Sequence, residues 1–125
     1  MKEASDRSIR VLLVEDNPGD ARLLQEMLAE VKNADFVLEW AVRLSMGLEQ
    51  LAEENFDVVL LDLSLPDSQG LATFTRIQAE AAETPIVVLS GLDDEALAVD
   101  AVRKGAQDYL VKGQIGRDLL ARAIR

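Results

Sequence analysis

Hydrophobic positions in this chain form short runs separated by stretches of helical spacing. Residues 9–14 are a compact apolar run, rich in β-branched residues. Asn17-Pro18 then supplies a helix start, because a proline at the first helical position gives up an N–H that would have no partner there. Ala21, Leu24, Leu28 and Val31, with Met27 beside them, recur at helical spacing and predict one core-facing stripe through about Val31. Residues 35–41 read as a second strand and 44–54 as a second helix, with Leu44, Leu48 and Leu51 on one side. Residues 57–62 are apolar on both faces, as expected of a parallel strand covered by helices on both sides. A loop follows over 65–70, then a third helix in which Leu71, Phe74 and Ile77 repeat. Thr84-Pro85 opens a fourth strand at 86–89. Asp93 is expected to cap a fourth helix through Lys104, and Gly105 to stop it. A fifth strand at 108–111 and a last helix at 116–125 complete the pattern.

Five strands alternating with five helices define an α/β domain with a parallel sheet, and right-handed crossovers leave few topologies. The flavodoxin-like doubly wound order 2-1-3-4-5, with helices on both faces, suits five such units. It places a ligand crevice outside the carboxyl ends of strands one and three, where the order reverses. Strand one runs into Glu15-Asp16 and strand three into Asp62. Strands four and five, next in the sheet, end on Ser90 and Lys112, whereas edge strand two ends on Trp40-Ala41. A buried strand has no reason to finish on a charge unless something outside its carboxyl end uses it. Three acids, a hydroxyl and an amine are the parts of a metal-assisted phosphoryl site.

Composition narrows the field. At 125 residues the chain is one domain, with residues 1–8 expected to be a flexible segment and 9–125 the folded unit. A net charge of −10 argues against nucleic acid or an anionic membrane as direct partners. Cysteine and histidine are both absent, which excludes disulfides, thiolate or imidazole zinc sites and histidine-dependent triads. No apolar stretch approaches a membrane span and no signal-peptide core is present, so a cytoplasmic location is expected.

Each strand-end residue has a plainer reading beside the chemical one. Asp62 can be a turn-initiating aspartate, Ser90 a turn serine before Gly91, Lys112 a solvated lysine, and Glu15-Asp16 an acidic lead into the first helix. Three acids facing one another repel, however, and a divalent cation relieves that repulsion. Hard oxygen ligands suit Mg²⁺.

Four segments taken together resemble the response-regulator receiver domain, the CheY-like family. They are Val14-Glu15-Asp16-Asn17, Leu60 through Asp67, Val88-Leu89-Ser90-Gly91, and Gly105 through Lys112, in this order and spacing. The resemblance spans residues 9–125. It implies a two-component signal receiver whose Asp62 accepts a phosphoryl group from a histidine kinase or histidine phosphotransfer protein. It further implies that Asp16 and Asp62 ligate Mg²⁺, that Ser64 adds its backbone carbonyl, and that Glu15 acts partly through water. Lys112 and Ser90 would contact phosphoryl oxygens. Ser90 and Tyr109 would form the conformational switch, with Tyr109 otherwise a strand aromatic packed on the fourth helix. The output module or partner, or a second copy in a dimer, would dock on the face of helix four, strand five and helix five. The domain would assist its own phosphorylation and dephosphorylation rather than act as an enzyme on another substrate.

Two departures from the family pattern stand out. Gly113 follows Lys112 where most members have proline with a cis bond, and a trans bond is expected here. Leu92 stands where some members carry a polar side chain that orients attacking water, which implies a longer-lived acyl phosphate, to be measured against Leu92→Glu. Three other functions fit less well. A receiver-like scaffold that is never phosphorylated would be expected to lose an acid or the lysine. An aspartate-nucleophile phosphohydrolase wants a second carboxylate where Ser64 stands. A flavin carrier wants a phosphate loop where Glu15-Asp16-Asn17 would repel one.

Overall fold

The computed structural model describes residues 8–31 and 35–124, without the side chains of residues 92, 117–119 and 121. Five strands, β1 (Ser8–Val14), β2 (Asp35–Ala41), β3 (Val58–Asp62), β4 (Ile86–Ser90) and β5 (Asp108–Val111), alternate with five helices. The helices are α1 (Pro18–Ala29), α2 (Leu44–Glu53), α3 (Leu71–Glu80), α4 (Glu95–Arg103) and α5 (Arg117–Ile124). All strand pairs in the main sheet are parallel, in the order β2-β1-β3-β4-β5. This is the expected flavodoxin-like arrangement, with the reversal of order between β1 and β3.

Alternation along the strands divides the core in two. Val11, Leu13, Val58, Leu60, Val87, Leu89 and Leu110 face α1 and α5, where Leu24, Leu28 and Leu120 meet them. Leu12, Val14, Val59, Leu61 and Val88 face the other way, against Leu44, Phe74, Ile77 and Ala98. Gly47 lets α2 lie close on β1, since a Cβ there would sit 3.0 Å from a methyl of Val14. Every residue of β3 and β4 is buried, as a central parallel strand requires.

Three local readings of the sequence need correction. Helix α1 ends at Ala29 rather than near Val31: Glu30 is its C-cap, and the Val31 N–H turns back to Leu28 O at 3.2 Å. Asp93 does not cap α4. Residues Leu92–Asp94 form a 3₁₀ turn, with Asp94 N–H donating to Gly91 O, so the helix starts one residue later, at Glu95, and Asp94 takes the cap position without a side-chain bond. The loop over 65–70 carries a small antiparallel ladder in which Ser64–Leu65 pairs with Ser68–Gln69. The Gly70 N–H closes it on Leu63 O at 2.8 Å. Strand β1 starts at Ser8, which pairs with Asp35. Residues 1–7, most of the segment expected to be flexible, and Arg125 lie outside the described residues. No described helix is long and apolar enough to cross a membrane.

Candidate phosphoryl and metal site

Sheet register brings the strand-end residues together. Val14 pairs with Leu61, so Glu15 emerges beside Asp62; Ser90 pairs with Val111, and the Lys112 N–H continues that ladder to Ser90 O at 2.8 Å. Asp62 shares the strand face of Val58 and Leu60, and Lys112 follows Leu110 on the same face, toward α1. Ser90 follows the opposite alternation, toward α4.

Asp62 is 5% exposed and both of its oxygens are engaged. Oδ1 accepts the Ser64 N–H at 2.9 Å and Oδ2 accepts from Lys112 Nζ at 2.6 Å. Glu15 is fully buried. Its Oε2 accepts the Asn17 N–H at 3.1 Å, while Oε1 lies 2.7 Å from Lys112 Nζ as an ion pair without hydrogen-bond alignment. Ligand oxygens of Glu15, Asp16 and Asp62 lie within 4.8 Å of one another, Asp16 being the exposed member. Ser90 Oγ is buried and has no hydrogen-bond partner among the described residues. A buried hydroxyl without a partner costs free energy unless a ligand completes it.

Electrostatics follow from this crowding. Burial pushes the Glu15 carboxyl up from 4.5 to about 7; Lys112 pulls it back, and the nearby Asp62 adds to the rise. Burial works against the Lys112 ammonium, but its hydrogen bond to Asp62 and its close ion pair with Glu15 outweigh that and hold it well above the ordinary lysine range. The oxygen-only donor set, with three converging acids and one buried carboxylate oxygen short of a hydrogen bond, fits a hard divalent cation.

Family comparison agrees with this geometry. The profile of the response regulator receiver domain matches residues 11–125. The chain belongs to that family. It is a receiver of two-component signal transduction, which weighs against the phosphohydrolase and flavin-carrier readings. Among its relatives is the transcriptional activator protein IrlR of Burkholderia pseudomallei, 34% identical over 114 residues, which are 91% of this chain and 48% of that protein. The transcriptional activator protein PfeR of Pseudomonas aeruginosa is 39% identical over 105 residues, 84% of this chain and 33% of that protein. The receiver thus spans half or less of these two relatives. A signal receiver domain of an HD domain-containing protein from Pseudomonas fluorescens Pf-5 superposes with TM-score 0.81 at 27% identity, covering 95% of this chain and 93% of that one.

The receiver's remaining expected residues are placed as follows. Tyr109 is half-buried against the α4 side of the core, and its hydroxyl donates to Glu95 on α4 at 2.9 Å. That contact raises the Tyr109 phenol above its usual value. Lys112 is followed by Gly113 at φ +86°, a conformation that favours glycine, and no described peptide bond is cis. The side chain of Leu92 lies outside the described residues. Three contacts escaped the sequence reading. Asp20 on α1 accepts from Lys112 Nζ at 3.2 Å. Asp67 accepts the N–H groups of Leu44 and Ser45 at 2.8 and 3.0 Å. The Trp40 indole N–H donates to Glu15 O at 2.6 Å. Asp20 reads locally as an ordinary acid in a first helical turn, and nothing near Asp67 or Trp40 in sequence marks their distant partners.

Proposed function

We propose that this receiver accepts a phosphoryl group on Asp62 from a phosphohistidine of a kinase or phosphotransfer protein. The observation that carries the reading is the buried Asp62 carboxylate held at 2.6 Å by Lys112 beside two further acids. A carboxylate oxygen of Asp62 attacks phosphorus, the new O–P bond forms as the donor's N–P bond breaks, and the electron pair stays on the imidazole. Protein groups in such a transfer mainly position reactants and neutralise charge on the equatorial oxygens. Lys112 supplies a compact cation for one of them, and the unpartnered Ser90 hydroxyl can donate to another. Asp16 and Asp62, with the Ser64 carbonyl and with Glu15 partly through water, would hold Mg²⁺, which when bound offsets the negative charge of the acids and the phosphoryl group.

A phosphoryl group adds roughly −1.5 to −2 charge, and drawing Ser90 toward it opens space behind β4. Tyr109 would then leave Glu95 and turn inward, altering the face of α4, β5 and α5, where an output module, a partner or a second copy would dock. A cytoplasmic setting and a folded unit over 9–125 accord with this role. The domain assists its own modification and acts on no separate substrate.

The test is intact-mass measurement after incubation with acetyl phosphate and Mg²⁺. One phosphoryl group per chain is expected, with none on Asp62→Asn and none in the presence of a chelator. An unlabelled wild-type chain would favour the scaffold that is never phosphorylated.

A further inference from the structure

The Lys112 ammonium has a carboxylate beside it that the proposed transfer does not use. An ammonium has three donors. Two are directed into hydrogen bonds, one to Asp62 Oδ2 at 2.6 Å and one to Asp20 Oδ2 at 3.2 Å. Glu15 Oε1, although 2.7 Å away, is not aligned to accept one. The two directed partners differ in setting. Asp62 forms the buried floor of the site, whereas the Asp20 side chain is 40% exposed on the first turn of α1. The backbone beyond Lys112 gives its long stem little support. Gly113 has no side chain, nothing lies within 4 Å of where a Cβ would be, and Gln114 is exposed. A lysine stem samples many rotamers unless its head is tied.

We propose that Asp20 is a positioning residue that holds the Lys112 ammonium at the mouth of the site, aimed at a phosphoryl oxygen arriving on Asp62. The inference rests on the phosphoacceptor reading of Asp62. Once Asp62 is engaged with phosphorus, Asp20 is the directed partner that keeps the ammonium from swinging into solvent. The opposite effect, repulsion of an anionic donor by the Asp20 charge, is weakened because that carboxylate is open to water and salt. Misplacing a catalytic group by even 1 Å costs up to about a hundredfold in rate, so positioning outweighs a screened repulsion.

The experiment compares initial rates of Asp62 labelling by acetyl phosphate with Mg²⁺ in wild type, Asp20→Ala, Asp20→Asn and Asp20→Glu. Asp20→Ala is expected to slow labelling about three- to tenfold. Asp20→Glu should recover most of the rate, and Asp20→Asn, which can still accept from lysine without a charge, should fall between. Thermal midpoints and Mg²⁺ affinity, followed by Trp40 fluorescence, should stay at wild-type values. Labelling of Asp20→Ala or Asp20→Asn at or above the wild-type rate would show that Asp20 only repels. Equal slowing in the Ala and Glu variants, together with a lower thermal midpoint, would show a general structural role. Either result removes this proposal while leaving Asp62 as the acceptor. An unlabelled wild-type chain would overturn both.

Discussion

Glu15 shows how burial gives one residue a pH-dependent role. Its carboxyl titrates near 7 in the folded chain against 4.5 as an ordinary glutamate, so between those values the folded state holds a proton that the unfolded chain has released. Without a divalent cation, the Glu15 contribution to stability should therefore be complete below 4.5, fall as pH rises from 4.5 through 7, and be gone above. Urea unfolding in chelator across this window should show the fall in wild type and lose this contribution in Glu15→Gln. An identical slope in the variant would refute the assignment. A proton and a cation also compete for this carboxylate, so Mg²⁺ affinity in wild type should strengthen from about pH 6 to about pH 8. The sole tryptophan reports on it directly, since its indole N–H is bonded to the Glu15 carbonyl. The acids, the serine and the lysine were legible because each ends an apolar run. Asp20 was not, because its pairing with Lys112 joins residues 92 positions apart.

Elements were legible where periodicity was strong, and their ends moved where hydrogen bonds tightened the chain. Strand β5 has the expected bounds, while α1 and α4 shift by one or two residues at one end, with i−3 bonds at Val31 and Asp94. Helix α2 shows a different limit. Its N-cap position is Arg43, which makes no side-chain cap bond, and Asp67 from the β3–α3 loop does the capping instead. Partial desolvation acts to raise the Asp67 carboxyl, but the Leu44 and Ser45 N–H groups outweigh it and hold the carboxyl below its ordinary 3.8. Asp67→Ala should cost about 1 kcal/mol of folding stability, the usual loss for a helix cap. The wild-type advantage should be complete above the ordinary aspartate value and vanish as pH falls through the lower folded one. Denaturation of both proteins at neutral and acid pH checks this; a difference that persisted in acid would mean that packing, not charge, links the loop to α2.

Across the whole molecule, two apolar layers flank one sheet, and the strand positions that fill them also aim the site. Leu60 is fully buried two residues before Asp62 on the same strand face. Leu60→Ala should lower stability by about 2–5 kcal/mol, and the urea midpoint is the measurement. A loss below about 1 kcal/mol would mean that the layer collapses around the gap. The amino-acid sequence by itself determined the alternation of strands and helices, the parallel sheet, the strand order and the rim on which four polar strand ends meet. It could do so because apolar periodicity and the right-handed crossover are properties of local chain and short connections. Only the tertiary structure decided which polar groups share an oxygen or a proton: Lys112 between Asp62, Glu15 and Asp20, Asp67 across to α2, Trp40 onto the Glu15 carbonyl. Those pairings depend on side-chain reach between segments that are adjacent only after the sheet has formed, and no spacing along the chain encodes them.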